Sequence, residues 1–203
     1  MNPKGYIFDF DGTLADTMPL HYTVWEKTLR AHGFQETFSW DYFIRLGGLG
    51  LEDTVQHLNQ TYGYEIDPCK VAAEKESCFM KNIERCGVKA KPEIYNIAQK
   101  AHQSGIPISI GTGSPLESVQ PLLSQIDLEG MFSIIVSRDQ VTHGKPHPET
   151  FLTAARRMGI EPKDCLVYED SPIGKQAADA AGMRCVLLKY SQPLNLLQTF
   201  LIL

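Results

Sequence analysis

The chain has 203 residues, of which 43% are hydrophobic and 21% are charged, and its formal net charge is −5. This is the composition of an ordinary globular protein with enough apolar residues for a core. The negative charge argues against a nucleic-acid-binding surface, which requires a cluster of basic residues. No apolar run is long enough to span a membrane and no secretory signal is recognised, so we expect neither.

The five cysteines are odd in number and form no C-x-x-C pair. This usage is typical of reduced thiols and predicts a cytoplasmic protein rather than a disulfide-linked or zinc-binding one. The apolar segment 194–203 is too short to cross a bilayer, and we expect it to pack against the core. No feature of the sequence indicates an obligate protein partner.

The first part of the chain predicts one strand followed by helices. The run GYIFDF (5–10) is short, apolar and aromatic, and its second half meets a turn at Gly12, which is typical of a buried strand. Thr17 can cap the helix that follows, which continues to Gly33. Further helices are predicted at 40–45, 51–62 and 68–85.

From residue 87 onward the pattern alternates between short apolar runs and helical segments. Strands are predicted at 106–111, 132–137, 165–169 and 185–188, with helices at 92–103, 115–124, 149–158 and 174–181. Such alternation predicts βαβ units and therefore a doubly wound α/β fold with a parallel sheet. We assign 1–15 and 87–203 to this core domain and 16–86 to an inserted, all-helical cap domain.

Polar side chains follow four of the predicted strands. Asp9 and Asp11 come at the end of the first strand, and Thr112 and Gly113 follow the second. Lys145 lies in the loop after the third. The pair Glu169–Asp170 ends the fourth. Because ligands bind beyond the carboxyl ends of strands in open α/β sheets, these groups are expected to meet at one edge.

The chemistry of these groups suits phosphoryl transfer. Asp9 can attack phosphorus as a carboxylate nucleophile and form an aspartyl-phosphate. Asp11 lies two residues further on, so in extended chain it projects to the same side. There it can protonate the leaving alkoxide and later deprotonate the attacking water.

The remaining groups can stabilise the negative charge of the phosphoryl group. Thr112, Gly113 and Lys145 are predicted to bind its oxygens by hydrogen bonds and by charge. Asp170, assisted by Glu169, is predicted to bind Mg²⁺ together with the nucleophile, since this cation prefers carboxylate oxygens. Each motif alone is common in proteins without such a role, whereas all four at strand ends, in this order, are not.

The four segments DFDGTLADT, GTGS, GKPHPE and YEDSPIGKQAA resemble, in order, the motifs of the haloacid-dehalogenase-like hydrolase superfamily. The resemblance spans nearly the whole chain, and the helical insert has the position of that family's cap. It implies that Asp9 is the nucleophile, Asp11 the general acid and base, and Thr112 and Lys145 the phosphate ligands. It also implies a magnesium site formed by Asp9, the backbone carbonyl of Asp11, and Asp170.

Within that superfamily the chain resembles the β-phosphoglucomutase-like group, which includes fructose-1-phosphate phosphatases. His21 and Trp25 match residues that follow the nucleophile motif in this group. His21 is predicted to position Asp11 or to bind sugar, and Trp25 to pack in the core. The loop beginning at Arg45 resembles the specificity loop of the cap, so Arg45 and, further along the cap, Lys75 are predicted to contact substrate; a plain helix–helix turn is an equally good interpretation of the loop.

Two departures from the mutase pattern favour a phosphatase. The mutase loop has a lysine where this chain has Gly47, and its second motif reads Ser-Ala-Ser-Lys where this chain has Gly-Thr-Gly-Ser-Pro. A mutase has to bind a sugar with two phosphates, so the loss of two lysines weakens one of its phosphate sites. The first hypothesis is therefore an Mg²⁺-dependent sugar-phosphate phosphatase, the second a phosphosugar mutase, and the third a catalytically dormant binding module.

Overall fold

The computed structural model describes residues 2–189. Within them, five β-strands form one parallel sheet: β1 (Gly5–Phe8), β2 (Ile108–Gly111), β3 (Ile135–Val136), β4 (Cys165–Glu169) and β5 (Arg184–Leu187). The same residues form eight α-helices: α1 (Met18–Ala31), α2 (Trp40–Leu46), α3 (Leu51–Tyr62), α4 (Pro68–Cys86), α5 (Pro92–Gln103), α6 (Leu116–Gln125), α7 (Glu149–Met158) and α8 (Pro172–Ala180). The expected packing of 194–203 lies outside the described residues.

The strand order is β3-β2-β1-β4-β5, and every neighbouring pair is parallel. β1 therefore lies at the centre, where Tyr6 pairs with Ile108 of β2 on one side and with Leu166 of β4 on the other. From β1 the chain continues to β2 and β3 on one side of the sheet, and it then crosses to β4 and β5 on the other side. This reversal of direction opens a crevice at the carboxyl end of the central strand. The predicted doubly wound α/β fold is confirmed.

Hydrophobic residues cover both faces of the sheet. Ile7 packs in a cluster with Phe151 and Val167, under α7 and α8, whereas the next residue, Phe8, packs with Ile110 under α5 and α6. This opposition follows from the alternation of side chains along a strand. Because both faces of β1 are buried, the polar residues that follow the strand are held on a rigid support.

The helices between β1 and α5 have a hydrophobic cluster of their own, which draws on residues between Met18 and Val71. The helices also pack on the sheet domain, because Leu20 of α1 and Phe79 of α4 belong to the cluster under α5 and α6. A separate cluster is what an inserted cap would have. The division into 1–15 with 87–203 and 16–86 stays a prediction.

Most predicted elements are found within one or two residues of their expected ends, and β3 is the main exception. A strand was predicted at 132–137, but β3 contains only Ile135 and Val136. The ladder begins there because the amide of Ile110 bonds the carbonyl of Ile134, while Phe132 instead packs into the cluster under α5 and α6. The apolar run is thus divided between strand pairing and core packing.

Candidate active site

Asp9 is the first residue beyond β1, and its carboxylate is almost completely buried. Lys145 donates a hydrogen bond from Nζ to Asp9 Oδ1 at 2.7 Å. Burial is the largest influence on Asp9 and raises its pKa; the Lys145 charge opposes this, Glu169 adds to it, and the result is a pKa of about 7. The two predicted residues are therefore joined at the centre of the sheet edge.

Lys145 is held from its other side by Glu169. Glu169 Oε1 accepts from Lys145 Nζ at 2.7 Å, and Glu169 Oε2 accepts from the backbone N–H and the hydroxyl of Ser171. A Cβ on Gly174 would lie 1.8 Å from Glu169 Oε1, so only glycine fits there. Both oxygens of Glu169 thus accept hydrogen bonds that position Lys145 beside Asp9, and its assignment as a metal ligand stays a prediction.

Asp170 differs from Glu169 because one of its carboxylate oxygens has no partner. Oδ2 of Asp170 is buried and accepts no hydrogen bond. Burial, together with the charges of Glu169 and Asp9, raises its pKa well above the usual value. An unpartnered buried carboxylate oxygen is costly unless a cation or a proton satisfies it.

The turn after β1 brings the backbone against this oxygen. Gly12 has a φ of +80°, and a Cβ at this position would lie 2.1 Å from Asp170 Oδ2. Ligand oxygens of Asp9, Glu169 and Asp170 lie within 4.8 Å of one another. Three converging carboxylates with one unpartnered oxygen fit a hard divalent cation such as Mg²⁺.

These raised pKa values lead to a prediction about metal affinity. We expect Mg²⁺ to bind more tightly as the pH rises from about 5 to 8, because the cation has to displace protons held by Asp9 and Asp170. Without metal, the same two groups should lower the free energy of unfolding as the pH rises through this range, since the folded state binds their protons more tightly than the unfolded state. Calorimetric titration at several pH values, in buffers of different ionisation enthalpy, measures the affinity and the proton release. An affinity independent of pH would contradict the prediction.

Asp11 is part of a second hydrogen-bonded group. Its Oδ1 accepts from Thr17 Oγ1 at 2.7 Å and from His21 Nε2 at 3.1 Å, and its Oδ2 accepts from Ser114 Oγ at 2.6 Å. Burial would raise the pKa of Asp11, but the nearby imidazole of His21 and these three hydrogen bonds outweigh it and hold the pKa below the usual range. These contacts therefore hold Asp11 in its ionised form, the form that a general base requires.

His21 connects Asp11 to Lys75 of the insert. Lys75 Nζ lies 2.9 Å from His21 Nδ1, and the imidazole stacks on Phe79 with ring centroids 3.9 Å apart. Burial and the neighbouring Lys75 lower the pKa of His21. A neutral imidazole that accepts at Nδ1 carries its proton on Nε2 and donates it to Asp11.

The polar groups open into one cleft between the sheet edge and the insert. Its volume is about 730 Å³, including the part open to solvent. Nine lining residues were singled out from the sequence: Asp9, Asp11, His21, Trp25, Lys75, Thr112, Gly113, Glu169 and Asp170. The glycine-rich loop 47–49, which follows α2 and is called the cap loop below, also lines the cleft. A Cβ on Gly113 would lie 3.2 Å from the carbonyl oxygen of Gly48 in this loop. Cap loop and sheet edge are therefore in close contact.

Two predicted substrate contacts have different surroundings. Arg45 is exposed, lies 5.5 Å from the ring centroid of Tyr42, and is not among the residues that line the cleft. The prediction that Arg45 contacts substrate therefore finds no support in this geometry. Lys75 does line the cleft, but its side chain is only 1% exposed and its ammonium is engaged by His21 and Glu76.

Three residues that line the cleft or contact its carboxylates were not assigned a chemical role from the sequence. Thr17 was expected to cap α1, but it makes no capping hydrogen bond and donates to Asp11 instead. Ser114 was part of a quoted motif without a role of its own. Glu76 was missed because it is adjacent to Lys75 on a helix, and no periodicity distinguishes a cleft residue from a solvent-facing one.

The sequence matches the family described as haloacid dehalogenase-like hydrolase over residues 6–188. A fructose-1-phosphate phosphatase of Escherichia coli is 35% identical over 182 residues, which cover 90% of this chain and 94% of that protein.

Within the described residues, no helix is long and apolar enough to cross a membrane.

Solved structures show the same fold. CbbY of Rhodobacter sphaeroides, solved with xylulose-(1,5)bisphosphate, has a TM-score of 0.80 at 23% identity and covers 93% of this chain and 87% of its own. A β-phosphoglucomutase of Clostridium difficile has a TM-score of 0.77 at 24% identity, covering 92% and 84%. With the match along nearly its entire length, the chain is a member of the haloacid dehalogenase-like hydrolase family.

Proposed function

We propose that this protein is an Mg²⁺-dependent phosphatase that hydrolyses small sugar monophosphates through an aspartyl-phosphate on Asp9. The observation that carries the proposal is the position of Asp9, buried between the ammonium of Lys145 and the unpartnered oxygen of Asp170 where the cleft opens. The ammonium of Lys145 is one positive charge beside Asp9, and a metal ion bound at Asp170 would be a second. With both in place, the carboxylate of Asp9 can approach an anionic phosphate without prohibitive repulsion.

In the first step, a carboxylate oxygen of Asp9 attacks phosphorus while the bond from phosphorus to the sugar oxygen breaks. The leaving alkoxide takes a proton from Asp11, which must have been protonated beforehand. Thr112, Gly113 and Lys145 bind the phosphoryl oxygens; the hydroxyl of Thr112 also accepts from the Ser114 amide at 3.0 Å, which fixes its orientation.

In the second step, water attacks phosphorus and its proton passes to Asp11, whose three hydrogen bonds favour the ionised form that this step requires. The bond from Asp9 to phosphorus breaks and inorganic phosphate leaves; Asp11 has to keep or regain a proton before it can protonate the next leaving alkoxide. Asp9, Asp170 and the backbone carbonyl of Asp11 would hold Mg²⁺, which supplies charge neutralisation of the phosphoryl group when bound.

The substrate class follows from the similar proteins and from the cleft. The Escherichia coli relative is named as a fructose-1-phosphate phosphatase. The cleft has room for a small ligand, and its polar residues can bind both a phosphate and hydroxyl groups. We also propose a cytoplasmic location. Small sugar phosphates are metabolites of that compartment, and the five cysteines are free thiols, as is usual there.

The proposal is tested by measuring phosphate release from a panel of sugar phosphates that includes fructose 1-phosphate and β-glucose 1-phosphate. We expect release that requires Mg²⁺ and stops with EDTA. Glucose 6-phosphate formed from β-glucose 1-phosphate, only after addition of the bisphosphate activator, would instead identify a mutase. No reaction in either assay would favour a dormant binding module.

A further inference from the structure

The cleft contains many more acidic than basic groups. Its lining includes five carboxylates: Asp9, Asp11, Glu76, Glu169 and Asp170. Among the described residues of the lining, Lys75 is the single lysine or arginine, and its ammonium is already bound by His21 and Glu76. Lys145 is buried outside this lining and donates a hydrogen bond to Asp9. The proposed phosphate site at Asp9 is thus the part of the cleft with cations to offer, and a second phosphate finds no accessible cation.

Glu76 is the one carboxylate of this set that belongs to the helical insert and has no place in the proposed mechanism. It lies on α4 and contacts Ser118 of α6 through a short hydrogen bond from the serine hydroxyl to Oε1. Its Oε2 accepts from Lys75 at 3.3 Å. Side-chain contacts on both oxygens fix the carboxylate in one orientation, while a fifth of its side chain remains exposed.

A fixed, partly exposed carboxylate in a substrate cleft discriminates between ligands by charge. Each oxygen can accept more than one hydrogen bond, so Glu76 can bind a hydroxyl in addition to Ser118 and Lys75. A phosphate in the same place would bring like charges together without an intervening cation, which costs binding free energy. The energetic contrast between hydroxyl and phosphate is therefore large at this position.

We propose that Glu76 is a specificity-determining residue that binds a hydroxyl group of the sugar and excludes sugars with a second phosphate. The inference rests on the proposed function, because it assumes that the first phosphate binds at Asp9. It restricts the substrates to monophosphates and names the residue that imposes the restriction. Removal of the Glu76 charge should therefore relax the restriction without creating a new active site.

The test compares two sugars that differ only at carbon 6, fructose 1-phosphate and fructose 1,6-bisphosphate. The unaltered protein should prefer the monophosphate in kcat/KM. Glu76→Gln keeps the oxygen that accepts from Ser118 or Lys75 and removes the charge, so the preference should fall by on the order of tenfold or more. Glu84→Gln, on the exposed side of the same helix, is the matched control and should leave the preference unchanged.

The ratio of the two kcat/KM values separates specificity from positioning. If Glu76 acted only on Lys75, and through it on His21 and Asp11, both sugars would lose rate equally and the ratio would stay constant. That result would overturn the proposal, as would an unaltered protein that accepts both sugars equally. A thermal transition measured for each variant identifies one that fails to fold; Ser118→Ala, which keeps the charge, is the second variant and should retain the preference.

A binding measurement keeps the inference separate from the proposed catalytic activity. Calorimetric titration of the Asp9→Asn protein with each sugar and Mg²⁺ reports affinity without turnover. Tighter binding of the monophosphate, reduced in the double variant with Glu76→Gln, would support the role of Glu76 even if no hydrolysis were detected. Equal affinities would overturn it even if the phosphatase activity were established.

Discussion

Replacement of Asp9 by asparagine is expected to abolish phosphate release, with a loss in kcat on the order of 10⁴ or more. An amide is a very poor nucleophile, and the other carboxylate bonded to Lys145, Glu169, has its second oxygen engaged by Ser171. The fold should persist, because asparagine keeps an oxygen that can accept from Lys145 Nζ. Initial rates with fructose 1-phosphate, together with a thermal transition, measure both consequences.

Burial raises the pKa of Asp9, so its ionised form carries a cost in the folded state that asparagine does not. We therefore expect the metal-free variant to be at least as stable as the original protein above about pH 7. The matched control is Asp41→Asn, an exposed carboxylate on α2 that should retain full activity. Activity of the Asp9 variant within an order of magnitude of the original would remove Asp9 as the nucleophile.

Replacement of Lys145 by alanine is expected to reduce kcat by a factor on the order of 10²–10³, because the phosphoryl group loses a preorganised cation. The same change leaves Glu169 and Asp9 buried without their partner, which should cost about 3–5 kcal/mol of stability. Lys145 is completely buried, and its pKa is raised, since the charges of Asp9 and Glu169 outweigh the effect of burial. Chemical denaturation measures the second effect independently of the first.

The double variant Lys145→Met, Glu169→Gln separates the two effects. It removes a buried positive and a buried negative charge together, so the stability should recover relative to Lys145→Ala. The loss in kcat should persist, because the cation beside Asp9 is still missing. A double variant with nearly normal kcat would show that another cation holds the phosphate, and the proposed role of Lys145 would be wrong.

The sequence predicted the ends of helices and strands best where particular residues mark them. Helices α3, α5 and α7 and strand β4 have the predicted ends, because glycine, proline or a change of periodicity marks them. That Asp9 and Asp170 lie close together could also be predicted. In a parallel sheet, residues at the carboxyl ends of neighbouring strands meet whatever their separation along the chain.

The contacts that depend on helix packing could not be predicted. Lys75 Nζ lies 2.9 Å from His21 Nδ1 although the two residues belong to different helices of the insert. No rule of sequence spacing relates them. Whether Arg45 lines the cleft could not be predicted for the same reason, since the rotation of a short helix decides where its last turn faces; Arg45 lies outside the lining, and its contact with substrate stays a prediction. Glu76 reaches Ser118 across the junction of insert and sheet, which only the packed structure defines.

The position of β1 has a consequence for how the chain folds during its synthesis. Its sheet partners β2 and β4 are both synthesised only after the entire helical insert. The insert, with a hydrophobic cluster of its own, can collapse while β1 still has no neighbouring strand. Closure of the sheet then requires long-range pairing on both sides of the segment that bears Asp9, a topology associated with slow folding. Asp9 is thus synthesised before the insert and before both neighbouring strands, and it acquires its environment only when β4 pairs with β1.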